Sequence, residues 1–209
     1  VVRTIAVGGM DNNVYLLTAA GGDQLLIDAA ADPDAIEALL SSAAGDADAP
    51  HLRYLLTTHS HHDHIGALAA VAPAHPGTET LAGEADADAI TAATGVPITR
   101  RLRHGDTIAL GDVTLDVIGL RGHTPGSVAV ACTLPGAPTQ VFTGDSLFPG
   151  GVGNTGRDPQ RFGSLFSDVV SRLFERYRGD DAVVRPGHGK PTTLGAERPR
   201  LAEWEARGW

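Results

Sequence analysis

Cysteine is almost absent from this 209-residue chain, which contains only Cys132 and therefore cannot form an internal disulfide. A closed structural zinc site, which usually draws on several cysteines, is excluded for the same reason. Cys132 lies in an apolar run at 128–132. This pattern predicts a strand in which the thiol is buried as a small hydrophobic group.

Long apolar runs are also missing, because no stretch of the sequence approaches the roughly 18–20 residues of a membrane-spanning helix. No charged segment followed by an apolar run precedes the first predicted strand, so a secretory leader is not indicated. We therefore expect a cytoplasmic protein without membrane contact. The net charge of −9 also argues against a nucleic-acid partner, since proteins that bind nucleic acids usually present a basic face.

The composition gives no sign of a domain boundary. No Pro/Ser-rich linker divides the chain, and 209 residues are enough to bury a sizeable core. We expect one domain over residues 1–209, present as a monomer or a homodimer.

Strand and helix signals alternate along the chain. Strands are predicted at 4–7, 14–18, 24–27, 53–56, 78–81, 107–110, 113–118, 128–133, 140–142 and 182–184. Helices are predicted at 33–43, 65–70, 162–177 and 194–204. Helices that lie between groups of strands indicate two sheets with helices on their outer faces, an α/β arrangement.

A histidine-rich string follows the predicted strand at 53–56 and reads His59-x-His61-x-Asp63-His64. In an extended segment alternate side chains point the same way, so His59 and His61 can bind one cation. Asp63 and His64, beyond the bend, can then turn towards a second cation. His62 has the opposite phase and is predicted not to bind metal. The string therefore indicates a two-metal site.

Three later segments offer the ligands that such a site still lacks. They are Gly-His123-Thr-Pro-Gly-Ser, Thr-Gly-Asp145-Ser and Pro-Gly-His188-Gly, and each follows a β-type apolar run. The flanking Gly and Pro residues are typical of loops at strand ends, where rigid scaffolds display reactive groups. Two ions need roughly three protein ligands each and a group shared between them, so these three side chains are candidate ligands.

The order of the four segments resembles the metallo-β-lactamase superfamily, and in particular its glyoxalase II-like hydrolases. The resemblance extends over nearly the whole chain, from Val7 to His188. It implies two sets of ligands joined by one carboxylate. The first metal would be held by His59, His61 and His123, the second by Asp63, His64 and His188, with Asp145 bridging both.

The resemblance also implies the fold and the chemistry. The fold would be a four-layer αββα sandwich, and the cofactors would be two divalent metal ions, zinc foremost, with iron or manganese as alternatives. The activity would be hydrolysis of an acyl bond in a small molecule, a thioester such as acyl-glutathione first of all, through attack of a metal-bridging hydroxide. Asp63 and Asp145 would be the catalytic residues.

Several alternatives stay open at the level of sequence. Glyoxalase II relatives carry a further helical region with glutathione contacts, whereas only twenty-one residues follow His188 here, so another thiol or a different ester is an alternative substrate. A lactonase of the same fold is another possibility. A mononuclear iron persulfide dioxygenase would use His59, His123 and Asp145. A non-enzymatic binding module that has kept the fold is the remaining alternative.

Other polar residues have a simpler interpretation beside a functional one. Asp11 and Asp28 are predicted to be turn or helix-start carboxylates that accept backbone N–H groups. The glycine-rich segment 150–157 is either a connector or the lip of the site, with Asn154 and Arg157 touching an anionic part of the substrate. Lys190 is either a solvated cation or a contact of a substrate carboxylate. Ordinary, non-ligand roles are predicted for His51, His75 and His104.

Overall fold

The computed structural model describes residues 1–179 and 181–208. Its first sheet begins with the predicted meander of short strands and continues with parallel strands. The six strands are β1 Val2–Val7, β2 Asn12–Thr18, β3 Asp23–Ile27, β4 His51–Thr57, β5 Glu79–Gly83 and β6 Arg100–Leu102, and they lie in that order across the sheet. The pairs from β1 to β3 are antiparallel, and those from β3 to β6 are parallel.

The second sheet also has six strands and is mostly antiparallel. They are β7 Thr107–Leu110, β8 Val113–Gly119, β9 Val128–Cys132, β10 Gln140–Gly144, β13 Val183–Pro186 and β14 Thr192–Thr193. Their order is β14-β13-β10-β9-β8-β7, and β10 and β13 are the parallel neighbours. A small hairpin, β11 Leu147–Phe148 and β12 Gly151–Val152, lies between β10 and β13 in the chain.

Seven helices are described, most of them short. They are α1 Pro33–Ser42, α2 His62–Ile65, α3 Leu68–Ala74, α4 Glu84–Thr94, α5 Pro159–Val169, α6 Leu194–Glu197 and α7 Leu201–Arg207. α1 begins where its sequence predicts, because the Asp32 side chain accepts the Ala35 N–H at 3.1 Å and Pro33 fits the first turn. Among the described residues, no helix has the length and apolar character needed to cross a bilayer.

Three buried clusters separate four layers. The first, with Leu26 and Ile36, lies between the first sheet and the helices α1 and α3. The second, with Leu56 and Phe142, fills the space between the two sheets. The third, which includes Trp204, lies between the second sheet and the helices α5 and α7. The two sheets thus pack against each other and carry helices on their outer faces, so the predicted four-layer αββα sandwich is confirmed.

Several predicted helices are interrupted in the structure by tertiary contacts or by changes of helix type. The helix predicted at 65–70 is divided between α2 and α3, because the Ala67 N–H bonds the Ala29 carbonyl at 2.9 Å instead of a carbonyl of its own helix. In the helix predicted at 162–177, the α-helical part, α5, ends at Val169. The chain continues as a π-helical turn, Val170–Phe174, in which Leu173 and Phe174 are buried. A 3-10 turn, Arg198–Arg200, separates α6 from α7 within the helix predicted at 194–204.

Five of the described elements lack a sequence prediction: α4, β6 and the two-residue strands β11, β12 and β14. α4 occupies an alanine-rich segment whose apolar residues form no clear stripe, although Ala87 and Ile90 are buried. β6 is a three-residue edge strand that contains two arginines. Cys132 is buried in β9, as predicted.

Candidate metal centre

The candidate ligands lie at one edge of the sandwich, where strands of both sheets end. β4 leads into the histidine-rich string, and β3 runs parallel beside it. In the second sheet, β10 leads into Asp145 and its parallel neighbour β13 leads into His188. The loop after β8 carries His123. Because parallel strands end at the same edge, segments far apart in the chain meet there.

The first group of donor atoms consists of three imidazoles. His59 Nε2 lies 3.1 Å from His61 Nδ1 and 3.2 Å from His123 Nε2. A tetrahedral ion with bonds of about 2.0–2.1 Å to nitrogen places its ligand atoms roughly 3.3–3.4 Å apart. The spacing of these nitrogens therefore fits one shared cation. His59 and His123 are buried, whereas His61 is exposed and marks the open side of the site.

The second group combines a carboxylate with two imidazoles. α2 begins at His62, so Asp63 and His64 lie in its first turn, beyond the extended part of the string. His64 Nε2 lies 3.3 Å from His188 Nε2, and Asp63 Oδ2 lies 3.2 Å from His188 Nε2 and 3.4 Å from His64 Nε2. This spacing again fits one cation.

Asp145 lies between the two groups. Its Oδ1 is 3.4 Å from His64 Nε2, and its Oδ2 is 3.5 Å from His188 Nε2 and 3.7 Å from His123 Nε2. Asp145 Oδ1 is buried and accepts no hydrogen bond from any residue that the structure describes. A buried carboxylate oxygen without a hydrogen-bond donor is costly unless a cation satisfies it. The residues present therefore fit two metal ions with a shared carboxylate.

Hydrogen bonds to groups outside the centre fix the orientation of most of the histidine rings. Four of the five histidines turn Nε2 inwards because Nδ1 has a partner outside the centre. These pairs are His59 with Thr58 Oγ1 at 3.1 Å, His64 with Asp28 Oδ2 at 2.8 Å, His123 with the Asn154 carbonyl at 2.7 Å and His188 with the Met10 carbonyl at 2.9 Å. Such outer partners set the tautomer and direction of metal ligands.

The comparisons with known proteins agree with this geometry. A family model described as the metallo-beta-lactamase superfamily matches residues 7–188. The chain belongs to this superfamily. It is 38% identical over 211 aligned positions to a hydroxyacylglutathione hydrolase of Anaeromyxobacter dehalogenans, in an alignment that covers 95% of the chain and 73% of that relative. The predicted class, a metal-dependent hydrolase, is confirmed.

Solved structures of the superfamily show the same fold. The crystal structure of TTHA1623 in a di-iron-bound form has a TM-score of 0.70 and 32% identity, and the match covers 94% of this chain and 96% of that one. The crystal structure of ETHE1 from Myxococcus xanthus has a TM-score of 0.78 and 25% identity, with 97% and 85% covered.

Asp28 is more than the turn carboxylate that the sequence predicts. It accepts the Thr58 backbone N–H at 2.7 Å, as expected of a turn residue, but it also bonds the Thr58 hydroxyl and His64. Only 1% of its surface is exposed. The sequence does offer one signal for a role of Asp28 at the centre. Asp28 directly follows β3, and the candidate metal ligands of this hydrolase also follow strand ends. Asp11 lies in a turn with a φ of 52°, as predicted.

Asp86 and Asn12 also support the centre, although the sequence does not predict this role. Asp86, buried in the first turn of α4, accepts the Ser60 N–H at 2.9 Å, the Gly126 N–H at 2.7 Å and the Thr124 hydroxyl at 2.6 Å. It therefore joins the histidine-rich string to the loop that carries His123. Asn12 Nδ2 donates to Asp63 Oδ2 at 2.9 Å. No sequence pattern singles out either residue.

The remaining predicted residues lie around the centre or far from it. His62 is exposed and belongs to neither group. His51 pairs with Asp23, His75 pairs with Glu37, and His104 stands apart from the candidate ligands. Asn154 and Arg157 line a cavity of 460 Å³ formed by the glycine-rich segment and α7. Lys190 is exposed and does not line that cavity.

Charge distinguishes the two groups. Burial and the neighbouring imidazoles lower the pKa of His59, and burial lowers the pKa of His123. Burial would also lower the pKa of His64, but the carboxylates of Asp28 and Asp145 outweigh it and raise that pKa to about 10. Burial opposes ionisation of Asp63, yet the hydrogen bond from Asn12 and the nearby His64 lower its pKa.

We expect the two candidate sites to differ in the pH dependence of metal binding. Since the carboxylates of Asp28 and Asp145 raise the pKa of His64 to about 10, its ring carries a second proton near neutral pH, which a metal must displace. Zinc affinity of the second site should therefore rise about tenfold per pH unit from about pH 6.5 to 8.5, the slope of one displaced proton. Calorimetry in buffers of different ionisation enthalpy counts the protons released. Equal pH dependence at both sites would contradict this electrostatic picture.

Gly187 leaves the space that the centre needs. A Cβ at this position would collide with Asp145 Oδ1 and lie 2.7 Å from His64 Cε1. We expect Gly187→Ala to lower zinc affinity about tenfold or more, because it displaces two ligands. Gly163→Ala is the matched control, since a Cβ there meets nothing within 4 Å. Zinc titration of both variants measures the effect, and wild-type affinity in Gly187→Ala would refute it.

Proposed function

We propose that this chain is a dinuclear hydrolase that cleaves an acyl bond, with a thioester as the favoured substrate. The observation that carries the proposal is the position of Asp145, whose two carboxylate oxygens face histidines of both candidate sites. A relative named hydroxyacylglutathione hydrolase supports the thioester assignment. Since the leaving thiolate of a thioester needs little protonation, the reaction requires no separate general acid at the site.

The residues present would hold two metal ions in the sets implied by the family resemblance. His59, His61 and His123 would hold one ion, and Asp63, His64 and His188 the other. When bound, the two ions supply a nucleophile at neutral pH and polarise the carbonyl under attack. Donor sets of histidine and aspartate accept zinc, iron or manganese, and we favour zinc because four or five nitrogen and oxygen ligands suit it.

The two aspartates have different tasks in this proposal. Asp145 holds the two sites at a fixed separation and neutralises part of their charge. Asp63 is ionised and is kept in place by Asn12, so it can accept a hydrogen bond from the attacking group and orient it. The open side at His61 gives the substrate access, whereas the buried side at His59 and His64 excludes water.

The glycine-rich segment would contact the substrate. Asn154 binds His123 through its carbonyl, and its neighbours lead away from the centre along the 460 Å³ cavity. Arg157 is exposed at this cavity and can pair with a carboxylate of the thiol or acyl part. Lys190, which is exposed two residues beyond His188 and outside this cavity, would contact a carboxylate of the substrate.

A substrate panel tests the proposed reaction. We expect zinc-loaded protein to hydrolyse acyl-glutathione or another acyl-thiol, with free thiol released and no oxygen consumed. Asp145→Ala should abolish turnover, while Asp88→Ala, at an exposed ion pair with Arg101, should leave it unchanged. Hydrolysis of lactones in preference to thioesters would contradict the thioester assignment and indicate a lactonase. A fully metal-loaded protein that hydrolyses none of these compounds, or that consumes oxygen with glutathione persulfide, would refute the proposal.

Arg157 gives a separate prediction about specificity. Arg157→Ala should raise KM about threefold to tenfold for a thioester whose thiol carries a carboxylate, because one exposed charge-assisted hydrogen bond is lost. KM for an uncharged thioester and kcat for both substrates should stay near wild type. Arg101→Ala is a control at a surface ion pair. An equal change for charged and uncharged substrates would exclude this contact.

A further inference from the structure

The hydroxyl of Thr58 lies where β4 enters the metal centre, and it contacts ligand-supporting groups on two sides. Only 2% of Thr58 is exposed. Its Oγ1 is 2.8 Å from Asp28 Oδ2 and 3.1 Å from His59 Nδ1. A hydroxyl has one hydrogen to donate, and an ionised carboxylate can only accept. The hydrogen therefore goes to Asp28, and the Thr58 oxygen accepts the hydrogen of His59 Nδ1.

The same carboxylate oxygen supports a ligand of the other site. Asp28 Oδ2 also binds His64 Nδ1 at 2.8 Å. One buried oxygen thus orients His64 directly and His59 through the Thr58 hydroxyl. The remaining oxygen, Asp28 Oδ1, accepts the Thr58 N–H at 2.7 Å and fixes the backbone at this point.

The surroundings of Thr58 leave its side chain little freedom. A Cβ on Gly144 would lie 2.6 Å from Thr58 Oγ1, so the glycine before Asp145 provides the space for the hydroxyl. The Thr58 carbonyl accepts the Val128 N–H at 2.9 Å, which ties it to the second sheet. A small, hydrogen-bonded side chain is therefore held between the segments that carry ligands of both sites.

We propose that Thr58 is a positioning residue that links the orientation of His59, in the first site, to that of His64, in the second, through Asp28. The inference rests on the proposed two-metal centre and concerns the chain's own hydrogen bonds. Loss of the Thr58 hydroxyl frees the His59 ring but leaves the contact between Asp28 and His64. Loss of the Asp28 carboxylate weakens the support of both rings.

The variant Thr58→Val tests this role, because it keeps the shape of the side chain and removes the hydroxyl. We expect zinc chloride titration to show a 10- to 100-fold loss of affinity at the first site and a change of less than about threefold at the second. Thr58→Ser should retain wild-type affinity at both. Thr80→Val is the matched control, since Thr80 is a buried threonine whose hydroxyl bonds the Pro97 carbonyl and Thr99 rather than a candidate ligand or Asp28.

Nitrogen NMR of the histidine rings in metal-free protein gives a second readout. His59 should be protonated at Nδ1 in the wild type and in Thr58→Ser, and should lose this preference in Thr58→Val. This measurement tests the hydrogen bond even if the wild type binds a single ion or hydrolyses no thioester. Wild-type zinc affinity and an unchanged His59 tautomer in Thr58→Val would overturn the proposal, as would an equal loss in Thr58→Val and Thr58→Ser.

A double-mutant cycle tests the link itself. Asp28→Asn should weaken both sites, and adding Thr58→Val to it should lower affinity at the first site by much less than Thr58→Val does alone. Additive losses would show that Thr58 acts independently of Asp28, and would overturn the proposed link.

Discussion

Side chains that share a metal must face one another at about 3 Å, an arrangement that costs free energy until a cation arrives. In this protein five imidazoles and two carboxylates converge in this way at a partly buried edge of the sandwich, which is open to solvent at His61. The convergence depends on strand pairing, because β4 and β10 each end at this edge beside a parallel neighbour. The packing of both sheets is therefore a condition for the centre, and the buried cluster between them stabilises it.

Close contacts between backbone segments also hold the candidate ligands together. Gly187 passes beside Asp145 and His64 with no room for a side chain, and its N–H bonds the Gly144 carbonyl at 2.8 Å. Asp86 joins two ligand loops through three hydrogen bonds. These contacts fix the relative positions of the ligands that follow β4, β8 and β10. The metal ions would thus enter a site whose geometry the chain has already set, which is the condition for an efficient catalytic centre.

Much of the centre can be predicted from sequence, since alternation along an extended segment already separates His59 and His61 from Asp63 and His64. The order of the later motifs supplies the remaining candidates. The position of Asp28 after a strand end is a signal for its role, but its contacts with Thr58 and His64 are tertiary. Asp86 could not be assigned at all, because its role arises from tertiary contacts such as the one with Gly126. The break between α2 and α3 has the same origin, in a hydrogen bond across sequence between Ala67 and Ala29.

The central claim is that two ions share Asp145, and anomalous X-ray diffraction from crystals of zinc-loaded protein tests it most directly. We expect two zinc peaks per chain, about 3.5–4 Å apart, the separation typical of two-metal hydrolytic sites. One peak should lie among His59, His61 and His123, and the other among Asp63, His64 and His188. A single fully occupied peak bound by His59, His123 and Asp145, with His64 and His188 unligated, would contradict the claim.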